Sequence, residues 1–272
     1  MKDFSRFAIH SYTNKPWPLA TMVERYAKAG VSGISVWKET IEGMKPAQAA
    51  AMIKSAGLKV VSMVRGGFFP APSAEERQQK IEDNLRLIRD SAELGAPLIV
   101  LVCGADPKVG LAQARDQVRA GIEAILPEAE RLGIKLAIEP LHPMYADLRS
   151  VVNTMEQAND LCEAIDHQNL GVAVDVYHVW WDPKLEGEIE RCGRLGRLFA
   201  FHVCDWKTPP EDFLNDRGLM GEGCIDIPLI RSWVEKTGFH GFVEVEIFSK
   251  RYWAMDQDIY LDMIKKAWEE KV

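Results

Sequence analysis

Residues 170–176 read LGVAVDV, and three other stretches share the design: 134–139 (IKLAIE), 198–203 (LFAFHV) and 242–247 (FVEVEI). Each is short, apolar and rich in β-branched or aromatic residues, which predicts a buried strand. Successive strand residues point to opposite faces. Val172, Val174 and Val176 therefore share one face and leave Ala173 and Asp175 on the other. The same reading sets Ile134, Leu136 and Ile138 against Ala137 and Glu139, and Phe199, Phe201 and Val203 against Ala200 and His202. In the last stretch Val243, Val245 and Ile247 oppose Glu244 and Glu246.

Outward from these stretches, short apolar runs alternate with longer amphipathic segments, the pattern of repeated βα units around a parallel sheet. Eight strand candidates emerge: Arg6–His10, Val31–Trp37, Leu58–Arg65, Leu98–Cys103, Ile134–Glu139, Leu170–Val176, Leu198–Val203 and Phe242–Ile247. Helical periodicity covers Leu19–Ala29, Ala74–Leu94, Leu111–Leu132, Val151–Ile165 and Ile227–Lys236. In KAGVSG, SAGLKV, RLGIKL and KTGFHG a glycine precedes the strand, where a helix can stop in the left-handed conformation. The expected fold is α/β, one domain over residues 1–272 forming a single closed (β/α)8 TIM barrel, with roughly 34 residues per unit. An open doubly wound sheet would announce a glycine-rich turn after its first strand, and HSYTNKPW contains no glycine. The Gly66–Gly67 pair is too short for that fingerprint and is expected to let a loop pass close to substrate.

Composition narrows the class. The 272 residues are 47% hydrophobic and 27% charged, as in globular proteins, and the net charge of −7 offers no general attraction for phosphate backbones. A nucleic-acid partner is not expected. The charged runs at 73–80 and 269–271 read as solvated helix faces. The N-terminal stretch lacks an apolar core and a cleavage site, and no segment approaches the roughly 18 apolar residues of a membrane span. A cytoplasmic location is the expectation. The five cysteines form no CxxC pair and read as free thiols.

Active sites of such barrels lie where the strands end. Four consecutive strands each end on an inward-facing cation ligand: Glu139, Asp175, His202 and Glu246. Unpaired, three buried carboxylates would repel one another. With an imidazole they suit one divalent metal ion, Mn²⁺ first, with Mg²⁺, Co²⁺ or Zn²⁺ also compatible. The alternative is that one or two of them sit in core ion pairs.

The segments AIEPLHP, VAVDVYHVWWDP, FHVCDW, DRGLMGEGCIDIP and VEVEIFS resemble the xylose isomerase-like TIM-barrel superfamily, in its sugar isomerase and epimerase branch. Its ketose 3-epimerases, hydroxypyruvate isomerases and inosose isomerases or dehydratases are the relatives concerned. The resemblance covers the whole chain in strand order and is sharpest from Ile134 onward. It implies the same four metal ligands, with Glu139 and Glu246 also exchanging protons with the substrate as catalytic residues. It further implies that His178 and Arg217 bind substrate oxygens. Glu244 departs from the pattern; it reads as a structural carboxylate paired with Lys135 or Arg65, or as a substitute ligand for Glu246.

Other residues carry weaker signals. His10 ends its strand with inward parity and could contact substrate, although a hydrogen-bonded core position explains it equally well, and Trp37, at the end of the second strand, stands the same way. His142 has a similar standing. Trp180, Trp181, Trp206 and Trp253 follow strand ends, where an indole could stack on a sugar, pack, or form the interface of a homo-oligomer. His167 and His240 receive no role.

The implied reaction removes a proton next to the carbonyl of a keto-sugar, with the metal stabilising the oxygen charge. Return at the same or the adjacent carbon gives an epimerase or isomerase; expulsion of a β group gives a dehydratase or lyase. An endonuclease IV-like nuclease fits poorly, because Gly218 stands where that branch carries a zinc-binding histidine. A non-catalytic sugar-binding barrel is the remaining alternative. The absence of a phosphate-cradling motif favours an unphosphorylated small-molecule substrate.

Overall fold

Eight parallel strands pair in sequence order, and the last returns to the first, closing the barrel. In the computed structural model, which describes residues 4–272, they are β1 Phe7–His10, β2 Gly33–Trp37, β3 Lys59–Gly67, β4 Leu98–Val102, β5 Lys135–Glu139, β6 Leu170–Asp175, β7 Leu198–Val203 and β8 Val243–Val245. Met1 to Asp3, part of the stretch weighed above as a leader, lie outside the described residues. The helices are α1 Leu19–Ala29, α2 Pro46–Ser55, α3 Ala74–Leu94, α4 Leu111–Arg131, α5 Met155–Ile165, α6 Val176–Val179, α7 Leu185–Arg194, α8 Ile227–Lys236, α9 Lys250–Trp253 and α10 Gln257–Lys271. Among the described residues no helix is long and apolar enough to cross a membrane.

Local signals set the element ends. Gly30, Gly57, Gly133 and Gly238, the four glycines flagged as helix stops, all take positive φ. Ser73 and Glu76 cap α3 reciprocally. α5 starts later than its apolar run predicts, because the Thr154 hydroxyl accepts from the Gln157 N–H and sets the cap there. Val151 instead donates its N–H to the Gly104 carbonyl.

The alternation separates two cores. Ile99, Leu101, Leu136, Ile138, Val172, Val174, Phe201, Val243 and Val245 pack outward against the helices. Val64, Val100, Ala137, Ala173 and Ala200 fill the interior, leaving short side chains beneath the strand ends.

One expectation is corrected. Phe199 does not face the helices: the register slips between Val172 and Ala173, so an extra β7 residue turns the ring inward. It packs against the interior cluster, fits only because Gly171 has no Cβ, and carries the Lys135 ammonium 4.5 Å from its centre. Gly67 has a packing role. A Cβ there would lie 2.1 Å from the Val102 carbonyl oxygen, so glycine lets β3 lie against β4 while Asn84 of α3 bonds both its N–H and its carbonyl.

Candidate metal centre

Register brings the strand ends to one level, with Asp175 opposite His202 and His202 opposite Glu244. One ligand atom each from Glu139, Asp175, His202 and Glu246 falls within 4.8 Å of all the others, and all four residues are buried. His202 Nδ1 lies 3.0 Å from Glu139 Oε1. The Tyr177 N–H, at the start of α6, donates to Asp175 Oδ1 and fixes that carboxylate.

Arg217 enters from the segment after β7, and its Nη1 donates to Asp175 Oδ2 at 3.0 Å and to Glu246 Oε2 at 2.8 Å. Its flat face is held between the rings of Tyr177 and Phe248. Nη2 stands 3.3 Å from His178 Nε2, which is itself 3.6 Å from Asp175 Oδ2. Arg217 is thus 3% exposed and engaged with the acidic cluster.

A second polar tier lies below. His10 is fully buried, with Nδ1 2.9 Å from Glu246 Oε1 and Nε2 3.3 Å from Glu244 Oε2. The Trp37 indole N–H points at the same Nδ1, 3.2 Å away. Glu244 meets neither Lys135 nor Arg65, contrary to expectation. Those residues belong to the floor of the barrel and to its rim; the carboxylate accepts from Ser35 and Ser62 and faces His202 Nε2 at 3.8 Å.

Burial and charge act against each other here. Burial, with Glu246 and Glu139 nearby, raises the Asp175 pKa against the pull of Arg217. Burial opposes ionisation of Glu246, yet His10 and Arg217 hold its carboxyl well below the usual range. Burial likewise disfavours the His202 cation, but Glu244 and Glu139 outweigh it and push the imidazole up to about 10. Burial and Arg217 push His178 well down, leaving it neutral.

The fit to a divalent cation follows from the donors. Three carboxylates and an imidazole converge beside one guanidinium, and a small cation with oxygen and nitrogen preference would take the place of the imidazole proton and complete the balance.

The segment at 207–216 covers the centre. The Tyr145 and Tyr177 hydroxyls both donate to the Phe213 carbonyl, and Leu214 packs on the interior cluster and on Val102, Leu141 and Tyr145. His142 stacks on Trp206 at 5.0 Å and its N–H donates to His178 Nδ1. Trp180 and Trp206 pack together, Trp181 donates to the His178 carbonyl, and Trp253 donates to the Tyr12 and Thr13 carbonyls. Tyr145, Tyr177 and Leu214 escaped the sequence reading because loops and single-turn helices have no periodicity to mark them.

Comparison with known proteins agrees with this architecture. A curated inosose isomerase of Bacillus velezensis is 27% identical over 166 residues, 58% of this chain and 57% of that protein, so the chain spans little more than half the length of this relative. Protein SMc04130 from Sinorhizobium meliloti 1021, known from a crystal structure, is 41% identical with 98% of each chain covered and a TM-score of 0.95. The IolI protein, crystallised with a bound zinc atom, is 20% identical with 96% of each chain covered and a TM-score of 0.83, a likeness of fold. The profile of the xylose isomerase-like TIM barrel matches residues 23–269, and the chain belongs to that family.

Proposed function

We propose that the protein is a divalent-metal-dependent isomerase or epimerase acting on a keto-sugar or related polyol ketone, with Glu139, Asp175, His202 and Glu246 as metal ligands. The observation that carries this reading is the convergence of those four buried donors at the strand ends. The inosose isomerase similarity and the zinc of the IolI protein support it, and Mn²⁺ is the preferred ion.

Lewis-acid charge is what the cation supplies when bound, stabilising the carbonyl oxygen as it turns negative. Glu139, from β5, and Glu246, just beyond β8, then serve as the pair that removes and returns the proton. His10 and Arg217 keep Glu246 ionised, so its carboxylate is free to accept the proton. The Tyr177 N–H and Arg217 hold Asp175 in one orientation. Neutral His178 presents an imidazole beside the same carboxylate for a substrate hydroxyl. Leu214 and the segment around it exclude water, so the carbanionic carbon is reprotonated by a glutamate rather than by solvent.

The test is incubation of metal-loaded protein with a panel of keto-sugars and inososes in D₂O, followed by NMR. Deuterium entering the carbon next to the carbonyl, with epimer or isomer appearing, is the expected result. Loss of a β-hydroxyl instead would assign a dehydratase, and the absence of exchange, epimer and isomer alike with every member would defeat the proposal.

A further inference from the structure

Two arginines at the rim of the barrel make no direct ion pair with a carboxylate. Among the described arginines, all but Arg65, Arg149 and Arg251 reach a carboxylate or a backbone carbonyl, and Arg251 is simply exposed. Arg65 ends β3 with its guanidinium 5.4 Å from the centre of the Trp37 ring and 5.0 Å from that of Phe68. Its Nε is buried without a hydrogen-bond partner. Arg149 precedes α5 and lies 5.6 Å over the Tyr145 ring.

These platforms adjoin. Phe68 packs against the cluster of Val102, Leu141 and Tyr145, so the two guanidinium groups crown rings of one patch beside the covering Leu214. They sense each other and the metal centre: burial and the like charge of Arg65 lower the Arg149 pKa, while Glu139 opposes the shift. Phe68 is also held at φ 57°, a left-handed conformation uncommon for a bulky residue and typical of strain kept at ligand clamps.

Ring stacking satisfies the flat faces of a guanidinium and leaves its edge donors empty. Two like charges with unfilled donors, one of them buried, form a poor resting arrangement unless a ligand completes it. Arg65 also lines a cleft of 720 Å³, where Lys38, Lys80 and Arg86 are matched by Glu76, Asp83 and Asp90 and Arg65 is the cation left over.

We propose that Arg65 and Arg149 form an oxyanion subsite, and that the carbonyl substrate carries a carboxylate or phosphate group away from the reacting carbon. This rests on the metal-centred reading above and narrows its substrate class. Arginine forks bind such groups in pairs of parallel hydrogen bonds, so no phosphate-cradling loop is required.

Calorimetry on Mn²⁺-loaded protein with three unreactive polyols tests it: D-glucitol, D-gluconate and D-glucitol 6-phosphate. At least one anion should bind about 10-fold or more tightly than glucitol, a factor typical of charge-assisted bonds. Whichever gains more identifies the anion. Arg65→Met and Arg149→Met keep the stem against its ring and should each remove most of that advantage. Arg65→Lys and Arg149→Lys should keep part of it, and melting temperatures identify any variant that has lost its fold. Equal affinity for all three polyols, or an anion preference unchanged in every folded variant, overturns the subsite. Arginine-dependent anion binding without exchange in D₂O on anionic or neutral ketoses would overturn the proton-transfer reading and leave the subsite standing. Exchange on neutral ketoses, together with anion binding that no arginine variant changes, would do the reverse.

Discussion

Glu244 offers the sharpest test of how the centre is held together. Its carboxylate is 1% exposed and faces Ser35, Ser62, His10 and His202 Nε2, while His202 presents Nδ1 toward Glu139. A carboxylate on the far nitrogen of a ligand imidazole keeps the proton there and leaves the near nitrogen free to bind metal. Glu244→Ala removes the acceptor of two hydroxyls and the counter-charge of two imidazoles. Breaking a buried charged network in this way costs about 3–5 kcal/mol. Loss of such an outer partner also typically weakens metal binding about 10–100-fold. Glu244→Gln retains an oxygen and nearly the same volume, so it should lose about 1–2 kcal/mol, the difference between a charged and a neutral hydrogen bond, and bind metal between the two extremes. Urea denaturation of the apo protein gives the first quantity, and competition against a fluorescent chelator gives the second. A folded Glu244→Ala protein with wild-type metal affinity would refute the reasoning and reduce Glu244 to a packing residue.

Three other expectations follow from the same geometry. Glu139→Gln and Glu246→Gln each keep an oxygen at the centre but lose a proton acceptor, so turnover should fall about 10²–10⁴-fold while bound metal, read by atomic absorption, falls less; near-normal turnover would move proton transfer to another residue. Tyr145→Phe and Tyr177→Phe each remove one of the two hydroxyls on the Phe213 carbonyl, about 0.5–1.5 kcal/mol apiece, and amide exchange at 211–216 should quicken, most in the double variant; unchanged exchange would show that the hydroxyls do not hold the cover. Lys250, then the Leu214 and Asn215 N–H groups, holds the Asp212 pKa low. Because the folded value lies below the unfolded one of about 3.9, its support for the cover is full above that pH and fades as pH falls below it; protection factors for Leu214 and Asn215 that stay flat from neutral pH to pH 2 would contradict this.

Much of the centre was legible because strand alternation is local and strict. Parity alone selected Glu139, Asp175, His202 and Glu246 as inward residues, and the register brings them to one level. What failed was whatever depends on neighbours. The turn of Phe199 into the barrel follows from a slip between β6 and β7 and from the missing Cβ of Gly171, which no single strand reveals. The partners of Glu244 come from β1, β2, β3 and β7, residues too distant along the chain and too ordinary in type to be paired from a list. Arg149 and Tyr145 belong to an irregular segment where only tertiary packing decides which way a side chain faces.

The inward turn of Phe199 has a bearing on traffic. With its ring over the floor and Val64, Val100, Ala137, Ala173 and Ala200 filling the shaft, the barrel is a blind well rather than a tunnel. Whatever enters must leave by the same doorway, past Leu214 and the tyrosines that latch Phe213. A fresh molecule cannot push its predecessor out from behind, so each visit ends with the door swinging open on an occupied room.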